Sequence, residues 1–237
     1  MNAPRLLLLA FCLSAGLCSA GEELVTTAPY GSGDRVAYVL NSENPSPKYV
    51  IILFPGGAGS VGPYMQDGKL VYTARGNFLL RARKFIVDDE FATVATDSTG
   101  LAERIQALID DLKARFPAAK IYLMGTSRGT LDTMALAPYL SDRIAGEIHT
   151  SSMRDIATFD ARKYRNRQLL IHHKEDACRM TPLFAAQMSH DKYGTELILM
   201  EGGISVGDPC EAFAHHGYNG IEKETAEAIK KWIRQGG

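Results

Sequence analysis

The chain has no block of like charge, and its 26 lysines and arginines are balanced by 27 aspartates and glutamates, for a formal net charge of −1. A nucleic-acid surface or a polybasic membrane anchor needs a basic excess that is missing here. Metal signatures are missing too: the sequence has no His-Glu-x-x-His and no cluster of closely spaced cysteines and histidines. His172 and His173 are neighbours in a strand-like segment, where successive side chains point to opposite faces, so the two do not converge on one ion. Gly56-Gly-Ala-Gly59 keeps neither the Gly-x-Gly-x-x-Gly spacing nor a Gly-Lys-Ser/Thr ending, which excludes a dinucleotide or nucleoside triphosphate loop. These absences lead to an expectation of no cofactor, no metal and no nucleic-acid partner, only a small-molecule substrate.

Nor does the chain have an apolar run of bilayer length. Leu6 to Leu17, just after Arg5, is of signal-peptide length and too short to span. Cys18-Ser19-Ala20 supplies small residues for cleavage, so residues 1–20 are read as a signal peptide and 21–237 as one mature domain, periplasmic or secreted, with no stable membrane insertion. A lipid-anchored form through Cys18 is disfavoured by the bulk of Leu17 just before it. Cleavage removes Cys12 and Cys18 from the four cysteines and leaves Cys178 and Cys210, which in an exported protein predicts a disulfide.

What the chain does contain is an alternation of strand and helix patterns. Asp34–Leu40 reads as an early strand within a mixed segment, Gly21 to Pro47. Tyr49–Phe54 is a continuous apolar run with β-branched residues, as in a strand covered on both faces. Helix over Phe78–Asp88 and strand over Phe91–Thr96 follow. Leu101, Ile105, Leu108, Leu112 and Phe116 fall at helical spacing up to Pro117. Strand 120–124, a helix to about Tyr139, strands Ile144–Thr150 and Gln168–His173, a helix from Pro182 to about Ser189, strand 195–200 and helix Ile221–Ile233 complete the order. Such an order predicts an α/β fold: a mostly parallel central sheet with helices on both faces and ligands bound beyond the carboxyl ends of the strands.

Gly125-Thr-Ser127-Arg-Gly129 sits where the strand from Lys120 gives way to a helix. A serine on that sharp corner has its hydroxyl lifted above the sheet, and the flanking glycines let the strand and helix backbones approach. The pattern is short enough to recur by chance, and Gly203-Ile-Ser205-Val-Gly207 repeats it. The second copy is followed by Asp208-Pro209 rather than a helix, with too little chain left for a further strand, acid and histidine.

In order and context, residues 35–235 resemble the α/β-hydrolase family, whose nucleophile, acid and histidine follow one another along the chain. The resemblance implies Ser127 as nucleophile, an acid after strand 168–173, and a histidine after the last strand. Asp176 is the implied acid, with Glu175 as alternative. His216, which precedes Gly217, is the implied base, with His215 as alternative. His149, His172 and His173 fall within strands and read as buried hydrogen-bonded histidines. The implied oxyanion donors are the backbone N–H groups of Arg128 and of Gly57, with Gly56 as alternative. Pro55 stands where many family members carry histidine. Only 150–168 lies between two strands, too little for a large cap. A Cys178–Cys210 bridge would staple the acid loop to the histidine loop. The reading is a serine hydrolase of small or medium esters. A peptidase or amidase with the same residues, and a non-catalytic binding protein on this fold, are the alternatives.

Overall fold

A computed structural model describes residues 23–236; the leader read at 1–20 lies outside the described residues. The chain opens with an antiparallel pair, β1 (Glu23–Tyr30) and β2 (Asp34–Asn41). β3 (Tyr49–Phe54) is followed by a small separate hairpin, β4 (Pro63–Gln66) and β5 (Lys69–Tyr72). Then come α1 (Phe78–Ile86), β6 (Phe91–Thr96), α2 (Ala102–Arg115), β7 (Lys120–Thr126), α3 (Gly129–Leu140) and β8 (Gly146–Thr150). β9 (Arg167–His173), α4 (Leu183–Tyr193), β10 (Glu196–Met200) and α5 (Glu222–Gln235) complete it.

Eight strands form one sheet in the order β1-β2-β6-β3-β7-β8-β9-β10, parallel from β6 to β10. Every residue of β3, β6 and β8 is buried; β3 and β6 accordingly read as unbroken apolar or small runs, whereas β8 also buries Glu147 and His149. The side chains alternate between two cores. Ile51, Leu53, Tyr122 and Met124 join Leu79 of α1 and Ile229, Trp232 and Ile233 of α5 on one face. Val50, Ile52, Ile121 and Leu123 join Ile105, Leu108 and Leu112 of α2 and Leu136 of α3 on the other. Each fully buried aliphatic side chain contributes roughly 1.5–3 kcal/mol. Of the stripe expected on α2, Leu101 is the exposed N-cap and Phe116 only partly buried.

This layering places the site. β3 and β7 are adjacent, yet the helix after β3 lies on one face and the helix after β7 on the other. Phe54 pairs with Gly125, so the segments leaving both strands emerge side by side at their carboxyl ends and diverge, opening a crevice. Between β8 and β9 the chain forms only two short 3₁₀ turns, Arg154–Thr158 and Ala161–Lys163, so no cap is built there.

Two expectations change. β7 runs to Thr126 and α3 starts at Gly129, so Ser127 and Arg128 alone make the corner. The mixed amino-terminal segment contains a further strand, β1, at the sheet edge, where Pro29 is tolerated because an edge strand has N–H groups without sheet partners.

Candidate active site

Ser127 has φ +50°, a left-handed conformation in which an ordinary side chain is crowded. Its neighbours over-determine that conformation. The Ser127 N–H donates to the Thr150 carbonyl at 3.0 Å, and its carbonyl accepts from the Thr130 N–H at 2.9 Å and the Thr130 hydroxyl at 2.6 Å. A Cβ on Gly125 would lie 2.6 Å from the Gly129 carbonyl oxygen, and one on Gly129 would lie 2.3 Å from that of Phe54. Both glycines of the motif are therefore required by backbone contact. Ser205 has neither the positive φ nor these hydrogen bonds, and it lies in an exposed loop.

The loop after β3 presses onto this corner: a Cβ on Gly56 would meet the Thr126 carbonyl at 2.8 Å and the Ser127 Cβ at 2.9 Å. Gly57 follows at φ +61°. Among the described residues, neither the Gly57 nor the Arg128 backbone N–H donates to a protein acceptor. Both residues line a cleft of about 770 Å³, as do Gly56, Ser127 and His216. The Arg128 guanidinium folds back over the loop and donates to the Gly57 carbonyl at 3.4 Å.

Asp176 follows β9 and is buried. Its Oδ1 accepts the Cys178 N–H at 2.9 Å; its Oδ2 lies 3.0 Å from Nδ1 of His216 and 3.1 Å from the Thr181 hydroxyl. With Nδ1 carrying the proton toward the carboxylate, Nε2 of His216 is the ring's free acceptor. Among the described residues neither Nε2 nor the Ser127 hydroxyl has a hydrogen-bond partner. The two groups are walls of the same cleft.

The alternatives separate in space. His215 is not on the cleft: it stacks on His173 at 4.4 Å between ring centroids, with its Nδ1 3.4 Å from exposed Glu175. Of the strand histidines, His149 contacts Thr133 at 3.0 Å and Gln168 at 2.9 Å, and His173 contacts the Gly202 carbonyl at 2.8 Å. His172 departs from expectation. It is buried with neither ring nitrogen hydrogen-bonded, its Nε2 3.5 Å from Asp176, and burial pushes its pKa down to about 4, so it is neutral at physiological pH.

Four groups at the site were not legible in the sequence. Tyr218, at φ +54°, donates to the Ile171 carbonyl at 2.7 Å and accepts from the Ser151 N–H at 2.9 Å. The Ser151 hydroxyl donates to the His216 carbonyl at 2.7 Å, so the histidine turn is tied to β8 and β9 from below. Burial raises the Tyr218 phenol well above its usual range and keeps it a donor. Arg81 of α1 donates to the carbonyls of Ala212 at 3.0 Å and Gly217 at 2.7 Å, holding the turn from its other side. Thr181 completes the set. Arginine and threonine are too common for any local pattern to mark these two.

The Cys178–Cys210 disulfide is present and forms part of the cleft wall, with Cα atoms 4.6 Å apart. It ties the loop after Asp176 to the loop before His216.

No protein-family model and no curated sequence matches the chain. Solved structures do match in shape. Est1E from Butyrivibrio proteoclasticus is 18% identical, with TM-score 0.64 over 92% of this chain and 99% of its own. A lid-less α/β serine hydrolase from Xanthomonas campestris is 12% identical, with TM-score 0.63 over 90% and 94%. A dienelactone hydrolase from Anabaena variabilis is 15% identical, with TM-score 0.64 over 91% and 98%. The chain has the α/β-hydrolase fold.

Proposed function

We propose that this protein is a serine hydrolase that cleaves small or medium carboxylic esters through an acyl-enzyme. One observation carries the reading: a serine fixed at φ +50° and a histidine hydrogen-bonded to a buried aspartate line the same cleft. The Ser127 hydroxyl attacks the ester carbonyl while its proton passes to Nε2 of His216. Asp176 holds the ring in the tautomer that can accept that proton and stabilises the imidazolium. The gap between Ser127 and His216 closes as substrate seats, since such bonds are commonly long in the free enzyme. The tetrahedral oxyanion receives the Gly57 and Arg128 N–H groups, each donor contributing about 3–4 kcal/mol of transition-state stabilisation. On collapse the alcohol leaves with the proton from His216. Water, deprotonated by the same ring, then releases the acid and restores Ser127.

An open cleft of about 770 Å³ with no cap suits a compact ester. A disulfide suits an oxidising compartment, the periplasm or outside. The test is turnover of a panel of chromogenic esters of increasing acyl length. Ser127→Ala should lower kcat by about 10³-fold or more while staying folded. Full activity in that variant ends the proposal; turnover of anilides instead of esters moves it to an amidase.

A further inference from the structure

We propose that Thr181 is a positioning residue of the acid–base pair, a reading that rests on Asp176 and His216 acting as proposed above. Its hydroxyl oxygen lies 3.1 Å from Oδ2 of Asp176 and 3.1 Å from Nδ1 of His216, and those two atoms lie 3.0 Å from each other. The three atoms form a closed triangle. A hydroxyl has one proton, and a carboxylate can only accept, so the Thr181 proton goes to Oδ2 and its lone pairs face the imidazole N–H. Nδ1–H is then shared between the carboxylate and the threonine oxygen. Thr181 is 0% exposed, so no water competes for either contact.

The rest of the aspartate's surroundings make this hydroxyl decisive. Oδ1 is fixed by the Cys178 N–H. Among the described residues, Oδ2 is approached, besides His216 itself, by Thr181 and His172 alone, and neither ring nitrogen of His172 is hydrogen-bonded. Thr181 is thus the one side-chain donor that keeps the carboxylate from turning about its Cβ–Cγ bond and withdrawing Oδ2 from the imidazole. Its own backbone is anchored where that donor is needed. The Thr181 N–H donates to the Cys178 carbonyl at 3.2 Å, and the Arg154 N–H takes the neighbouring Met180 carbonyl at 3.2 Å. The six-residue turn from Asp176 to Thr181 therefore closes on itself, and the disulfide at Cys178 holds its middle.

Four proteins test this: wild type, Thr181→Val, Thr181→Ser and Thr181→Ala, assayed on the best ester of the panel with thermal midpoints measured alongside. Valine keeps the shape and removes the hydroxyl. Hydrogen bonds to a charged group being what they are, kcat should fall by about 10- to 100-fold, with KM within about twofold because substrate does not touch this side chain. Serine restores the hydroxyl and should return kcat to within about threefold of wild type, whereas alanine behaves as valine does. The low-field proton resonance of the His216 ring should sharpen or shift in Thr181→Val and return in Thr181→Ser, a readout independent of turnover. If the valine protein does not fold, the serine–alanine pair makes the same comparison. Equal kcat in wild type and Thr181→Val, or a serine variant as impaired as the valine one, overturns the inference while leaving the ester-hydrolase reading standing. An inactive wild type in which a fluorophosphonate forms no adduct on Ser127 removes both.

Discussion

Ser127 sits at φ +50° because Thr130 and Thr150 hold its backbone and because Gly125 and Gly129 carry no Cβ. Those glycines made the corner readable in the sequence, although only the contact that demands Gly125, with Gly129, is local; Gly129 is demanded by Phe54 of β3. Asp176 and His216 were readable only as one of two neighbouring candidates each, because adjacent residues share a loop and only three-dimensional packing decides which faces inward. Thr181 meets His216 across 35 residues of sequence and Ser151 meets Tyr218 across 67, and none of the three had a local signal. Glu147 is a further residue of this kind. It is 0% exposed in β8, with one oxygen bonded by Asn166 at 3.1 Å and the other unpaired, and burial raises its pKa from 4.5 to about 7. An acid whose pKa is raised by folding contributes stability below 4.5 that is lost as pH rises through about 7. At about 1.4 kcal/mol per unit, the loss approaches about 3 kcal/mol above that pH. Glu147→Gln should abolish this alkaline fall, so urea midpoints of the variant at pH 6 and pH 9 should differ less than those of wild type. An unchanged gap between the two pH values contradicts the assignment.

At the level of elements, the strands buried on both faces and the amphipathic helices α2 and α5 followed the sequence pattern to within a residue or two, because burial alone sets their periodicity. α4 runs four residues beyond its expected end and stops at Gly194, φ +71°, a left-handed glycine just past a helix. The β4–β5 hairpin was missed although Asp67-Gly68, at φ +51° and +72°, is the residue pair that a two-residue turn favours. Its strands are short and largely exposed, so they have no apolar pattern to notice. The loops either side of the cleft depend on the Cys178–Cys210 bridge, which closes 32 residues containing α4 and β10. Replacing both cysteines with serine should lower stability by about 3–4 kcal/mol. It should also reduce ester turnover, because the loop carrying Asp176 and the loop leading to His216 are then joined by noncovalent contacts alone. Differential scanning calorimetry and ester kinetics check the two effects separately. Unaltered activity and melting in the double variant would rule out the staple.

The whole molecule is a sheet whose connections part between β3 and β7, and every group proposed for catalysis lies at that one carboxyl-end rim. The fold class was legible from the alternation of strand and helix, since a parallel sheet leaves few ways to cover both faces; the edge strand β1 and the β4–β5 hairpin were not. Substrate choice was not, because it depends on the cleft wall formed by Met153, Met180 and Phe213 from segments far apart in the chain. The central claim is that Ser127 is a nucleophile activated by His216. Incubation with a fluorophosphonate, followed by peptide mass mapping, measures it directly. The account predicts one adduct, on Ser127, formed at least about 10²-fold more slowly in His216→Ala and at an undiminished rate in His215→Ala. No adduct on Ser127, or an adduct whose rate is indifferent to His216, contradicts it.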